Sequence, residues 1–170
     1  MRLQDTLSKA HEALSAKKIG HALIGGFALA AHGVVRATQD IDLLIDGGRR
    51  VEAATALVSA GFSVVHETSE VSHFGGPGHL DVLWANRPPT QEMIRSAAIK
   101  LSYPVPVVAA EDLIGLKIQA YKNEPKREFQ DKADIQALLD RGGPLNLKKI
   151  REYADIFGEW PVIEELLKRI

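Results

Sequence analysis

The segment "RATQDIDLLID", residues 36–46, carries Asp40 and Asp42 in a run that otherwise has the composition of a buried strand. Acidic residues are depleted in strands. Side chains of a strand alternate between its two faces, so both carboxylates are expected on the same side. Two like charges this close repel each other unless a cation lies between them. The pair therefore indicates either a cation site or a frayed strand start with solvated acids.

A glycine pair precedes this segment. "HALIG", residues 21–25, has the pattern of a short strand that ends in Gly25 and Gly26, and "FALAAHG", residues 27–33, that of a short helix. A glycine turn at the start of a helix lets backbone N–H groups approach an anion closely. Gly-Gly alone is common in turns, so its meaning depends on the aspartates that follow.

A third carboxylate lies farther along the chain. "HLDVLWA", residues 79–85, has the pattern of a strand and carries Asp81 between two apolar residues. If this strand pairs beside the one with Asp40 and Asp42, the three carboxylates share one sheet face. Hard cations such as Mg²⁺ bind carboxylate oxygens and leave other positions for water or substrate phosphates. Two such ions stabilise both the attacking and the leaving oxygen of an in-line displacement.

The rest of the chain predicts short strands early and helices later. Helices are expected over 3–14, 49–61, 110–122, 129–140 and 147–157, with a last one begun by Trp160; strands over 62–67 and 79–85; a turn at 73–78; a break at Pro88-Pro89; and an extended piece at 103–108. This pattern predicts an α+β fold, a small mixed β-sheet with helices packed on it. We expect one domain over 1–170, with a sheet core at 18–108 and a helical C-terminal extension at 109–170.

Composition restricts the class of protein. The 170 residues have a net charge of −1 and no cysteine, which excludes disulfides and thiolate metal sites and gives no general attraction to nucleic acid. The start "MRLQDTLSKA" has no apolar signal-peptide core, and the most apolar stretch is too short to span a membrane. None of the six histidines falls in an H-E-x-x-H pattern, so zinc is not expected. We expect a cytoplasmic protein without a membrane partner.

Residues 25–45, "GGFALAAHGVVRATQDIDLLI", resemble the nucleotidyltransferase signature of the polymerase-β-like superfamily, in which a glycine-rich turn precedes a D-x-D strand with a palm-like sheet. The R-x-T-x-D-I-D pattern, residues 36–42, is most similar to minimal nucleotidyltransferases and AbiEii-like toxin–antitoxin enzymes. "HLDVLWA" is similar to the strand of the third carboxylate. "DLIGLK", residues 112–117, and "QDKAD", residues 130–134, resemble two helix motifs of this branch.

The resemblance extends from about residue 20 to about residue 140 and departs from the family at two positions. Gly26 stands where many relatives have serine, which removes a side-chain contact to phosphate but keeps the backbone contact. Gln130 stands where the helix motif usually has lysine. Neither position is a metal ligand in the resembling enzymes.

The resemblance implies a role for each matching residue. Asp40 and Asp42 would bind two Mg²⁺ ions, for which Mn²⁺ is a substitute. Asp81 would complete the ion that activates the acceptor hydroxyl, with a general-base role open to it. The implied nucleotide-binding residues are Gly25, Gly26, Arg36, Thr38 and Lys117, of which Arg36 and Lys117 would neutralise the leaving pyrophosphate.

Lys117 lies in an apolar helical stripe with Leu113, Ile114 and Tyr121. Such a lysine either extends its ammonium group to the edge of the stripe or contacts an anion. In the resembling enzymes, a lysine at this position contacts the phosphates or supports the carboxylates. Asp131 and Asp134 lie one helical turn apart, where they either hold a basic side chain in place or form an exposed face paired with nearby lysines.

The expected activity is Mg²⁺-dependent transfer of a nucleoside monophosphate from an NTP to a hydroxyl acceptor, with release of pyrophosphate. The acceptor is an RNA 3′ end, a partner protein or a small molecule, and the near-neutral charge disfavours long RNA. A toxin–antitoxin role is compatible with the resemblance. The rivals are a non-catalytic antitoxin or partner-binding module of the same fold, and a sugar-nucleotide glycosyltransferase, whose usual fold is larger.

Overall fold

The computed structural model describes residues 2–100, 102–141 and 143–170. In chain order the elements are α1 Leu3–Ala16, β1 His21–Ile24, α2 Gly25–Ala31, β2 Ile41–Asp46, α3 Arg50–Ser59, β3 Ser63–Glu67, β4 Val71–Gly75, β5 Leu80–Ala85, α4 Pro88–Ser96, α5 Ala110–Asn123, α6 Glu128–Asp140, α7 Leu147–Ile156 and α8 Trp160–Leu167. The predicted α+β fold with a mixed sheet is confirmed.

The strands form one mixed sheet in the order β1-β2-β5-β4-β3. β2 and β5 are parallel neighbours at the centre, and the other strand pairs are antiparallel. The extended piece near Val107 adds to the β1 edge, because Leu23 donates its N–H to the Pro106 carbonyl at 2.7 Å and accepts from the Val108 N–H at 3.2 Å. This topology puts the two Asp-bearing strands side by side.

The sheet core follows from alternation along the central strands. Ile41 and Leu43 on β2 are register partners of Leu80 and Val82 on β5, and all four side chains are buried. The residues between them, Asp42 among others, point to the opposite face. The apolar residues therefore anchor the sheet, and the acidic residues on the same strands are directed away from that core.

The chain divides into two compact units. One comprises residues 1–31 and 36–108 and contains the sheet; the other comprises residues 32–35 and 109–170 and contains α5 to α8. The helical unit has its own buried apolar residues, including Ile114, Ile118, Ile135, Ile150 and Ile163. The expectation of one domain over the whole chain stays a prediction. Within the described residues, no helix has both the length and the apolar character needed to cross a membrane.

Three local predictions were wrong. The segment 73–78, predicted as a turn, begins inside β4; Gly75 is the last residue of that strand, and Gly76 and Gly78 follow it. Pro88-Pro89, predicted as a break, begins α4, because proline at the first position of a helix lacks only an N–H that would have no intrahelical partner. Asp40, predicted within the strand, precedes it, since β2 begins at Ile41.

Candidate active site

A row of ionisable side chains crosses four strands of the sheet. Asp42 on β2 is the register partner of Asp81 on β5, which is the partner of His73 on β4, which is the partner of His66 on β3. Register partners on neighbouring strands project from the same sheet face. We call these four residues the Asp–His row. The predicted pairing of Asp42 with Asp81 is therefore matched by the register of the two parallel strands.

His73 contacts Asp81 directly. Its Nδ1 lies 2.6 Å from Asp81 Oδ1, and the two side chains are 44% and 35% exposed. An ionised carboxylate only accepts hydrogen bonds, so Nδ1 carries the proton and donates it. The His66 ring stacks on the His73 ring, with centroids 5.8 Å apart and planes 22° from parallel. Sequence reasoning missed His73 because residues 73–78 were interpreted as a turn, although the residue alternates with buried Ser72 and Phe74.

The glycine turn contacts the Asp42 carboxylate. Gly25 has a φ of +68° at the junction of β1 and α2, a conformation that favours glycine. A Cβ at this position would lie 2.1 Å from Asp42 Oδ2 and 2.8 Å from Asp42 Cβ. Any side chain at position 25 would displace Asp42, so the position of the Asp42 carboxylate depends on glycine in this turn.

Gly26 is held against the segment that leads into β2. A Cβ on Gly26 would lie 2.8 Å from the Cβ of Thr38. Thr38 donates its hydroxyl proton to the Asp40 carbonyl at 3.3 Å, and Arg36 donates from Nη1 to the Ala37 carbonyl at 3.3 Å. Thr38 thus packs on the second glycine and orders the turn just before the strand. Contacts of Thr38 or Arg36 with a nucleotide stay predictions.

The chemistry of the site suits a Mg²⁺ ion that arrives with a nucleotide. Among residues 2–100, 102–141 and 143–170, no three His, Asp or Glu side chains surround a point as a ready-made metal site. Mg²⁺ is commonly held by one or two carboxylates together with substrate phosphates. Asp42 and Asp81, adjacent on one sheet face beside a glycine turn, match that requirement. Asp40 is partly buried and lies two residues before Asp42.

Lys117 forms a buried charge cluster within the helical unit. Its Nζ lies 3.1 Å from Asp131 Oδ1 and 2.8 Å from Asp134 Oδ2, and the three side chains are 6%, 1% and 3% exposed. Arg127 Nε lies 3.1 Å from Asp131 Oδ2, and Gln130 donates to Asp134 Oδ1 at 3.0 Å. The two cations balance the two carboxylates. A contact of Lys117 with phosphate stays a prediction.

Comparison with known proteins identifies the fold. No family model matches the sequence, and no curated protein matches it. The solution structure of the antibiotic-resistance factor ANT(2″)-Ia is 21% identical, with 98% of each chain covered and a TM-score of 0.69. Its crystal structure in complex with adenylyl-2″-tobramycin is also 21% identical, covering 90% of this chain and 95% of that one, with a TM-score of 0.68.

Two other solved structures are similar. An antigenic nucleotidyltransferase-like protein from Paracoccidioides brasiliensis is 19% identical, with 98% of this chain and 92% of that chain covered and a TM-score of 0.60. The lincomycin-bound lincosamide antibiotic adenylyltransferase LnuA is 16% identical, with 79% and 95% covered and a TM-score of 0.54. The chain therefore has the nucleotidyltransferase fold. The AbiEii-like subtype stays a prediction.

Proposed function

We propose that this protein is a nucleotidyltransferase that moves a nucleoside monophosphate from an NTP to a hydroxyl group of an acceptor and releases pyrophosphate. The observation that carries the proposal is the register pairing of Asp42 with Asp81, with the Asp42 carboxylate against Gly25. Two adjacent carboxylates on one sheet face are unfavourable unless a cation joins them. In a nucleotidyltransferase fold, the cation expected at such a pair is Mg²⁺.

The proposed roles follow the chemistry of each group. Asp42 and Asp81, with Asp40, would hold Mg²⁺, which when bound polarises the phosphate and neutralises developing charge. Asp81 would also accept the proton of the attacking hydroxyl. Gly25 and Gly26 would offer backbone N–H groups of the turn to phosphate oxygens, while their missing side chains leave room for Asp42 and Thr38. The proposed reaction uses two Mg²⁺ ions per turnover, for which Mn²⁺ would be a substitute.

Arg36, Thr38 and Lys117 complete the proposed assignments. Arg36 would neutralise charge on the pyrophosphate, and Thr38 would order the turn that precedes the carboxylates. For Lys117 we favour a supporting role, because Asp131 and Asp134 already pair with its ammonium group in a buried cluster. Removal of the Lys117 charge distinguishes this supporting role from a contact with phosphate, because the first predicts a loss of stability and the second a loss of transfer activity.

We propose a small molecule as the acceptor. The similarity to ANT(2″)-Ia extends over 98% of both chains, and that protein has been solved with adenylyl-2″-tobramycin. The lincosamide adenylyltransferase, solved with lincomycin bound, is similar over 79% of this chain. A net charge of −1 also disfavours long RNA, whose binding needs several basic contacts. A toxin–antitoxin role is not required by this proposal.

A non-catalytic module of the same fold is the principal rival. It does not need a glycine turn that accommodates a carboxylate, nor a second carboxylate at the paired position of the next strand, since like charges at paired positions destabilise a sheet. A module that only binds a partner would therefore be more stable with one of the two aspartates replaced.

The test measures ligand stabilisation and transfer together. An NTP plus Mg²⁺ should raise the melting temperature more than either alone, since binding at a hundredfold excess over Kd stabilises a protein by about 2.7 kcal/mol. The D40N/D42N variant should lose this synergy and should melt no lower without ligand. Asp155→Asn, which changes an exposed aspartate of α7, is the matched control.

Transfer is followed as pyrophosphate release from each of the four NTPs with pools of small hydroxyl compounds, aminoglycosides and lincosamides included. We expect transfer with the wild-type protein and the Asp155→Asn control and none with D40N/D42N. A wild-type protein that shows neither transfer nor joint stabilisation by any NTP with Mg²⁺ would refute the proposal.

A further inference from the structure

We propose that His73 is a positioning residue for the Asp81 carboxylate. Its hydrogen bond holds Oδ1 and would leave Oδ2 available to the metal ion and the acceptor hydroxyl. This inference rests on the proposed function, because it concerns a residue assigned to metal binding. It adds a residue that the signature from Gly25 to Asp42 does not contain.

The backbone sets the position of His73. His73 and Asp81 are register partners on adjacent antiparallel strands, which puts their side chains next to each other on one face. The Nδ1–H of His73 donates to Oδ1 at an N···O distance of 2.6 Å, which is just below the usual range of charge-assisted N–H···O⁻ hydrogen bonds. The imidazole is therefore placed by the sheet and is not carried on a mobile loop.

A second histidine lies beside the first on the neighbouring strand β3. The His66 ring lies nearly parallel to the His73 ring at a centroid distance of 5.8 Å, on the side away from the aspartates. Within the described residues, the histidine that bonds to the Asp81 carboxylate is His73 and not His66, which makes His66 the natural control.

A hydrogen bond to one carboxylate oxygen matters because Asp81 is 35% exposed. A free carboxylate at such a site exchanges its two oxygens and its rotamers. A fixed donor on one oxygen removes that freedom before the metal and substrate bind. Replacing hydrogen-bond partners of metal-binding side chains typically weakens metal affinity or activity about 10- to 100-fold.

The competing explanation is that His73 only stabilises strand pairing. A cross-strand pair of that kind contributes to the stability of the sheet but leaves metal affinity unchanged. The two explanations differ in one readout, the affinity for a metal ion at equal fold stability.

The experiment compares His73→Leu, His73→Asn and His66→Leu in the full chain. Leucine removes the donor, asparagine keeps an N–H near the position of Nδ1, and His66→Leu removes the stacked ring without removing the bond to Asp81. Mn²⁺ affinity is measured by calorimetry with a non-hydrolysable ATP analogue present, and again with Mn²⁺ alone. Urea unfolding of each variant reports the stability of the sheet.

We expect His73→Leu to weaken Mn²⁺ binding about 10- to 100-fold and to lower kcat to a similar extent, without a matching rise in the acceptor KM. His73→Asn should recover most of both losses, and His66→Leu should bind Mn²⁺ nearly as the wild type does. The inference would be overturned if His73→Leu bound Mn²⁺ as tightly as the wild type does. It would also be overturned if His73→Leu and His66→Leu lost equal affinity, or if the wild type bound no Mn²⁺.

Failure of the proposed function gives a different result. If the wild type transfers no nucleotide to any acceptor but His73→Leu still weakens Mn²⁺ binding, the positioning role stands and the assigned reaction is wrong. If the wild type transfers nucleotide and His73→Leu matches it in Mn²⁺ affinity and kcat, the reaction stands and the positioning role is wrong.

Discussion

Replacement of Lys117 by methionine tests what holds the helical unit together. Methionine keeps most of the apolar stem and removes the ammonium group that pairs with Asp131 and Asp134 at 3.1 and 2.8 Å. Both carboxylates are at most 3% exposed, so water does not replace the lost partner. Removing one member of a buried ion pair is destabilising by about 3–5 kcal/mol.

The lower end of that range is expected here. Arg127 still pairs with Asp131 Oδ2 at 3.1 Å, and Gln130 still donates to Asp134 Oδ1 at 3.0 Å. The two carboxylates are therefore not left without partners, and their mutual repulsion is partly offset. We expect a loss of about 3 kcal/mol in the free energy of unfolding.

The assay is urea unfolding followed by far-ultraviolet circular dichroism, with transfer activity measured on the folded variant. Lys168→Met is the control, since Lys168 and its partner Glu165 are both about two-thirds exposed, at 65% and 67%. The triple variant K117M/D131N/D134N should recover much of the lost stability, because it removes the buried charges together. A stable Lys117→Met protein with transfer lowered a hundredfold would refute this reasoning and would support the phosphate contact implied by the sequence resemblance.

Two further predictions concern the sheet unit. Gly25→Ala and Gly158→Ala put a side chain at a φ of +68° and +67°, so each should lose about 1 kcal/mol from backbone strain, and Gly25→Ala should lose more because its Cβ would lie 2.1 Å from Asp42 Oδ2. Only Gly25→Ala should also lose joint stabilisation by NTP and Mg²⁺, because its Cβ displaces Asp42 whereas a Cβ on Gly158 meets no atom within 4 Å; equal ligand responses would contradict the assigned turn. Burial lowers the pKa of His21 below its ordinary 6.5, an effect to which a neighbouring histidine adds and which a backbone hydrogen bond opposes. The unfolded chain therefore takes up this proton first as pH falls, so the stability contributed by neutral His21 is complete above about pH 6.5 and is lost as pH falls through the folded-state pKa. The assay is the urea midpoint of unfolding at several pH values. As pH falls, this midpoint should decline less for His21→Gln than for the wild type or for His79→Gln, a control at an exposed site. If the decline in His21→Gln equals that of the wild type, the effect belongs to other groups.

Local patterns in the sequence were sufficient to predict the fold class and two of the four residues of the Asp–His row, Asp42 and Asp81. The apolar composition of 41–46 and 80–85 correctly predicted that Asp42 and Asp81 lie on strands, because residues such as isoleucine and valine favour a buried strand. Helical periodicity likewise located α1, α3, α5 and α6 to within a few residues. The predictions failed at α4 and β4. Pro88 and Pro89 begin a helix and Gly75 ends a strand, so these residues mark element boundaries and not a loop.

The arrangement of the candidate site required the tertiary structure. Strand order β1-β2-β5-β4-β3 and its register join Asp42, Asp81, His73 and His66, which come from four separate strands, and no local pattern specifies which strands become neighbours. The sequence left open whether Lys117 contacts an anion, extends to the surface or pairs with nearby acids. Packing of α5 against α6 buries it between two carboxylates. The sequence by itself thus determined most of the elements and the residue types they carry. Tertiary packing decided which charged groups meet, because those contacts depend on long-range pairing and on the exclusion of water.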